Sequence, residues 1–173
     1  MPVTSDFAGE KPTCRAIVLP AHPCEYATIR ALTIQGLTRR WGQYTASFNP
    51  DLEHFADSYQ QAVVLVAKND DQIIGCGVLL KEADSVGRIV RIVRMTVSAD
   101  HQRTGVGRKI LNALLAAAER AGYSEVLLET TATWQSAVAF YSTCGFVPVK
   151  LENGDQHFCL VIDPAKLLGR DPP

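Results

Sequence analysis

From Arg88 to Thr131 the chain runs through a β-branched stretch (RIVRIVRMTV), a polar segment ending in QRTGVG, a helical segment, and a second apolar stretch (SEVLLETT). The first and last read as strands. Between them Val106, Ile110, Leu111, Leu114, Leu115 and Ala118 recur at helical spacing until Gly122 stops them. A strand, a helix and a second strand joined in this way make a crossover, so the fold class is α/β: a mixed sheet with helices covering it.

Gly105 and Gly107 stand at the junction of strand and helix. The first turn of a helix leaves backbone N–H groups unpaired, and with the partial positive charge of the helix N-terminus they form an anion site. Glycine also removes side chains that would hold a phosphate away from the backbone. A P-loop is excluded because GxxxxGK[ST] is absent, and the dinucleotide fingerprint fails because Ile110 stands where a third glycine is needed. Two readings of GxG are left: a turn whose glycines serve geometry, or a phosphate cradle.

Upstream, AVVLVAK, NDDQ and IIGCGVLLKE read as a β-hairpin, and a second turn at Ala83 to Gly87 leads into RIVRIVRMTV as a central strand. CRAIVLP is a short strand stopped by Pro20. Glu25 to Arg40 is predicted helical, with Ile29, Leu32, Leu37 and Trp41 as an irregular apolar stripe. A short helix follows, with Asn49 as its cap, Pro50 at its first position, and Leu52, Phe55 and Tyr59 on one side. Downstream, WQSAVAFYSTCG is a helix ending at Gly145, and FVPVKLE with HFCLVID closes as a hairpin.

With 173 residues, 47% of them hydrophobic, the chain is expected to form a single domain over 1–173, with an ordered core at about 12–165 and loose ends at 1–11 and 166–173. A net charge of -1 and a pI near 6.4 provide no basic field, so neither nucleic acid nor membrane is expected as a partner. No apolar run approaches the roughly 20 residues of a membrane span, and Met1 to Glu10 lacks the pattern of a signal peptide, which points to the cytoplasm. Cys14, Cys24, Cys76, Cys144 and Cys159 are odd in number and contain no CxxC, so they are expected to serve packing and not a disulfide framework. His22, His54, His101 and His157 lack zinc-site spacing; no metal is assigned, and the histidines are expected at the surface or in loops.

The run RMTVSADHQRTGVGRKIL, with ETTATWQSAVAFYSTCGF about thirty residues on, resembles the GNAT superfamily of N-acetyltransferases. Gln102, Gly105 and Gly107 match its Q/R-x-x-G-x-G/A acetyl-CoA motif. Ala137, Phe140, Tyr141, Gly145 and Phe146 match its A-x-x-F-Y-x-x-x-G-F signature. The likeness runs from about Ala62 to Asp163. It implies a mostly antiparallel central sheet with splayed fourth and fifth strands, flanking helices, and acetyl-CoA as co-substrate without a metal.

By this resemblance, the backbone of Arg103, Thr104, Gly105, Val106, Gly107 and Arg108 would hold the pyrophosphate, with the Arg108 and Arg103 charges adding to it. The pantetheine arm would lie along the free strand edge near Met95 and Val97 as an added strand. A backbone N–H near Val97 would stabilise the developing oxyanion, and Tyr141 would protonate the departing thiolate. The implied acceptor is a primary amine on a small molecule, amino acid or peptide.

Two departures from the family stand out. Arg91 occupies the position of a common glutamate base, and a guanidinium accepts no proton at neutral pH. Glu129 is the substitute candidate, acting directly or through water; the plainer reading is a solvated or paired surface group. Trp134 stands where relatives place an asparagine near the cofactor, and either packs against CoA or caps the core. In an ideal strand Arg88 and Arg94 face one way and Arg91 the other. Arg91 then either binds an acceptor carboxylate or pairs with Glu82 or Asp84. The rival to an N-acetyltransferase is a silent acyl-CoA sensor or interaction domain, or an enzyme using another acyl donor. Free strand edges allow a homodimer.

Overall fold

A computed structural model describes residues 15–82 and 87–162. The expected loose ends, Cys14, Asp84, and positions 83–86 of the second turn lie outside the described residues.

Strand β1 (Ile17–Pro20) leads through a 3-10 turn to helix α1 (Tyr26–Trp41). Helices α2 (Pro50–Glu53) and α3 (Phe55–Ser58) follow, then the meander β2 (Val63–Asn69), β3 (Gln72–Lys81) and β4 (Ile89–Val97). Helix α4 (Val106–Arg120) crosses to β5 (Glu125–Thr131), and α5 (Gln135–Thr143), β6 (Val147–Glu152) and β7 (Asp155–Val161) complete the chain. The single short helix expected after Asn49 is two helices broken at His54.

The seven strands form one sheet in the order β1-β2-β3-β4-β5-β7-β6, antiparallel except where β4 meets β5. Each face buries its own core. On one face α4 inserts Val106, Ile110, Leu111, Leu114 and Ala118 against Leu79, Val90, Ile92, Val126 and Leu128. Gly77 in β3 permits this approach, because a Cβ there would stand 2.8 Å from a Leu114 methyl and 3.0 Å from an Ile110 methyl. On the other face Ile29, Leu52, Phe55 and Tyr59 pack on Val64, Val66, Cys76 and Val78. Each fully buried aliphatic side chain contributes roughly 1.5–3 kcal/mol, so both layers are needed.

β4 departs from the regular strand that its sequence suggests. Cys76 pairs with Thr96 but Val78 pairs with Val93, so Gly77 faces both Arg94 and Met95 across a bulge. Arg94 has a left-handed φ of +54°. The extra residue shifts the alternation: Val90 and Ile92 face the α4 core, and so do Met95 and Val97, whereas Val93 joins the α1 core. The expectation that Arg91 and Arg94 point to opposite faces is therefore wrong, since Arg94 is itself a bulge residue and falls out of the alternation.

Beyond the bulge β4 also loses its neighbour. It pairs with β5 only over Ile89↔Glu125 to Ile92↔Leu128. β5 continues along β7 from Glu129↔His157 to Thr131↔Asp155. The expected splay of the fourth and fifth strands is present.

Candidate active site

The splay opens a cleft of about 760 Å³, walled by Val93 to Val97 of β4, Glu129 to Thr131 of β5, the C-terminal half of α1, Trp134 and Tyr141. At the end of β4 the chain turns into α4. Gly105 has φ +88° and Arg103 φ +64°, and Gly105 has open space where a Cβ would stand. Its glycine therefore serves the left-handed backbone. Lys109 N–H donates to the Gly105 carbonyl at 3.0 Å, the first bond of the helix. The amides of Val106, Gly107 and Arg108 thus belong to the turn that has no intrahelical acceptor.

The remaining residues of the turn take different positions. The Val106 side chain is buried in the core, so only its backbone faces the turn. Arg103, Thr104 and Arg108 are exposed. Thr104 Oγ1 donates to the His101 carbonyl at 2.6 Å, and Gln102 Nε2 donates to the Val97 carbonyl at 3.1 Å. Gln102 thereby ties the turn to the end of β4. Met95 and Val97 direct their side chains into the α4 core and line the cleft.

Tyr141 is buried at the base of α5, and its hydroxyl points to Met95 Sδ at 3.9 Å. Burial pushes the phenol up to about 12, so it holds its proton throughout the neutral range. The acceptor is a thioether, which takes hydrogen bonds only weakly.

Glu129 lies on the cleft wall, and its Oε2 receives Arg91 Nη1 at 3.1 Å and His157 Nδ1 at 3.2 Å. Arg91 also donates Nε to Glu82 Oε2 at 2.8 Å. The expected ion pair of Arg91 with Glu82 is present; the Asp84 alternative lies outside the described residues. His157, expected at the surface or in a loop, is in β7 with a side chain only 18% exposed. Its place beside Glu129 follows from strand register, which no local pattern encodes.

A second charged cluster forms the opposite wall. Arg94 donates Nε to Asp51 Oδ2 at 2.7 Å, Nη2 to Asp51 Oδ1 at 2.5 Å, and Nη1 to Asn49 Oδ1 at 2.9 Å. The Tyr59 hydroxyl donates to Asp51 as well. Burial acts to raise the Asp51 carboxyl, but the hydrogen bonds from Arg94 and Tyr59 together hold it below the usual carboxylate range. Asn49 precedes α2 as expected, but its side chain caps no helix; it binds Arg94 and the Thr45 carbonyl instead. Sequence reading missed Asp51, Asn49 and Tyr59 as partners of Arg94. Their separation of 35 to 45 positions from Arg94 leaves no periodic signal.

Trp134 reaches across the cleft to α1. Its ring lies 5.4 Å from that of Trp41, and the Arg40 guanidinium stands 4.6 Å over it. Cys24 is exposed and so does not serve packing, while Cys76 is buried, which pushes its thiol up to about 11. The four described cysteines are free thiols. Among the described residues no group of three or more His, Cys, Asp or Glu could hold a metal, and no helix is long and apolar enough to cross a membrane.

Comparison with known proteins bears on the same cleft. Over 111 residues the chain is 29% identical to N-acetyltransferase 8F1 of Rattus norvegicus, covering 61% of this chain and 50% of that one. The chain spans about half the length of the first curated relatives it matches. Among solved structures, an acetyltransferase of the GNAT family from Staphylococcus aureus superposes with a TM-score of 0.74 at 16% identity, over 86% of this chain and 99% of that one. The PaiA N-acetyltransferase of Thermoplasma acidophilum in complex with coenzyme A gives 0.72 at 14%, over 85% and 99%. Those identities establish likeness of fold. The family model described as "Acetyltransferase (GNAT) family" matches residues 29–146, a span that includes most of α1, the bulged β4, the turn into α4 and all of α5 with Tyr141, and by that match the chain belongs to the GNAT family of acetyltransferases.

Proposed function

We propose that the protein transfers the acetyl group of acetyl-CoA to a primary amine on a small molecule, amino acid or peptide. The observation that carries this reading is the edge of β4 from Val93 to Val97, unpaired with β5, followed across Ser98 to Gly105 by the amide-rich first turn of α4. An extended arm carrying amides can add to that edge as a strand would, and a pyrophosphate can accept from the turn. The residues present fit this co-substrate.

In this reading the amides of Arg103 to Arg108 hold the phosphates, with Arg103 and Arg108 adding charge. Backbone N–H groups between the bulge and Val97 stabilise negative charge on the thioester oxygen as the amine attacks. The nitrogen–carbon bond forms, the carbon–sulfur bond breaks, and Tyr141 gives its proton to the leaving sulfur. Glu129 takes the amine's proton through water. Arg91 Nη1 and His157 Nδ1 both stand against its Oε2, at 3.1 and 3.2 Å, which leaves Oε1 for that water. Trp134 closes the cleft over the bound arm. A cytoplasmic location and a homodimer formed through an edge strand belong to the same proposal; β6 presents Val147, Val149 and Leu151 as an exposed row.

Titration calorimetry with acetyl-CoA, with Gly105→Glu alongside, tests the reading, followed by a screen of amines read by free-thiol release. Binding lost in the variant, and thiol release with an amine, are expected. Binding without release by any amine class would replace the enzyme with an acyl-CoA sensor. No binding at millimolar ligand would overturn both.

A further inference from the structure

We infer that Asp51 is a positioning residue for acyl transfer: through Arg94 it holds the left-handed bulge of β4 that directs the strand's amides into the cleft. This rests on the acyl-transfer reading above.

Arg94 occupies a conformation that L residues bearing a Cβ disfavour, with φ +54° in the middle of a strand. If the residue relaxed to an extended conformation, the bulge would be lost. Regular alternation would then carry Met95 and Val97 from the α4 face to the α1 face, and the amides beside them would turn with them. Something must therefore hold residue 94 in place. Cys76 Sγ lies 3.5 Å from the Arg94 carbonyl, which is a weak restraint. The strong one is the guanidinium, forked onto both Asp51 oxygens and bonded to Asn49.

The anchor is rigid at its far end. Asp51 also accepts from Tyr59, and Asn49 donates to the Thr45 carbonyl at 3.0 Å. Leu52, next to Asp51, is fully buried in the α1-side core with Phe55 and Tyr59. Asp51 and Arg94 both line the cleft, so the clamp holds the bulge from the side opposite the α4 turn. A bidentate arginine–carboxylate fork fixes orientation as well as distance, which a lysine or a lone hydrogen bond would not.

The test compares Asp51→Ala with two double variants, Asp51→Ala/Arg94→Gly and Asp51→Ala/Arg94→Ala. Both doubles remove the unpaired charge, but only glycine enters the left-handed region freely. With the amine found by thiol release, Asp51→Ala should lower kcat about 10- to 100-fold and weaken acetyl-CoA binding less than Gly105→Glu does, because the β4 edge is disturbed while the phosphate turn is untouched. The glycine double should recover most of kcat and the alanine double should not. Amide shifts of Met95 and Val97 in nitrogen-15-labelled protein give a readout independent of turnover: parental in the glycine double, displaced in the alanine double. Equal recovery in both doubles would show that only a stranded charge had been at fault, and would overturn the proposal. Unchanged kcat in Asp51→Ala, or parental shifts in the alanine double, would overturn it too. Failure of thiol release in the parent protein would overturn the catalytic role with the acyl-transfer reading, and the shifts would still decide whether Asp51 holds the bulge.

Discussion

The two ends of the β4–β5 pair share the same strands and do opposite work. At the closed end Ile89 to Ile92 pair with Glu125 to Leu128, and Val90, Ile92, Val126 and Leu128 are buried under α4. At the open end the strands part, the burial falls, and charged groups collect: Arg94 with Asp51 on one wall, Glu129 with Arg91 and His157 on the other. The change occurs within two residues of the bulge. A sheet acquires a site where its pairing stops, because only there are backbone donors and acceptors released from the ladder.

If that division is right, damage at each end should read out differently. Leu128→Ala, at the closed end, should have the largest effect, destabilising by about 2–5 kcal/mol through the cavity it leaves. A thermal melt should drop by roughly 5–20 °C, while the folded fraction keeps its acetyl-CoA affinity. Gly105→Glu, at the open end, should do the reverse. A side chain at φ +88° and a carboxylate before a helix N-terminus should raise the acetyl-CoA Kd by at least about 100-fold, read by calorimetry, with a much smaller shift in melting.

Tyr141→Phe removes a hydroxyl whose bond to a thioether is weak, so melting should be nearly unchanged. A fall in kcat of about 100-fold with a steady KM for acetyl-CoA is expected if it supplies the proton; an unchanged kcat would reduce Tyr141 to packing. Acid should act on the open end through Asp51. The Asp51 carboxyl lies below its ordinary value in the native protein, whereas in the unfolded chain it binds a proton near pH 3.9. Its stabilisation is therefore complete above about pH 4 and is lost as pH falls through the native value. Asp51→Asn should flatten stability against pH below 4, and an unaltered acid limb would remove Asp51 from the account. The smallest effect is expected from Trp41→Ala, roughly 0.5–1.5 kcal/mol for the lost ring contact. Trp134 is then the remaining tryptophan, and its emission should shift to the red as the cleft loosens.

Legibility followed the range of the interactions. The helix of Val106 to Arg120 and the meander were readable because period and turn chemistry act over a few residues. The resemblance carried the splay and the role expected of Tyr141. The side chain of Asn49 misled, since a residue before Pro50 looks like a cap until an arginine 45 positions on claims its oxygen. Arg94 misled for a related reason: alternation assumes a regular strand, and the bulge is visible only in the pairing with Gly77.

The sequence by itself determined the order and kind of the elements, the glycine-bearing turn before α4 and the family, all consequences of local backbone preference and short motifs. Tertiary structure alone decided which way Arg91 and Arg94 point, that His157 stands beside Glu129, and that Trp134 meets Trp41 across the cleft. Those depend on strand register and on ion pairs between distant segments, and such contacts exist only once the chain has closed on itself.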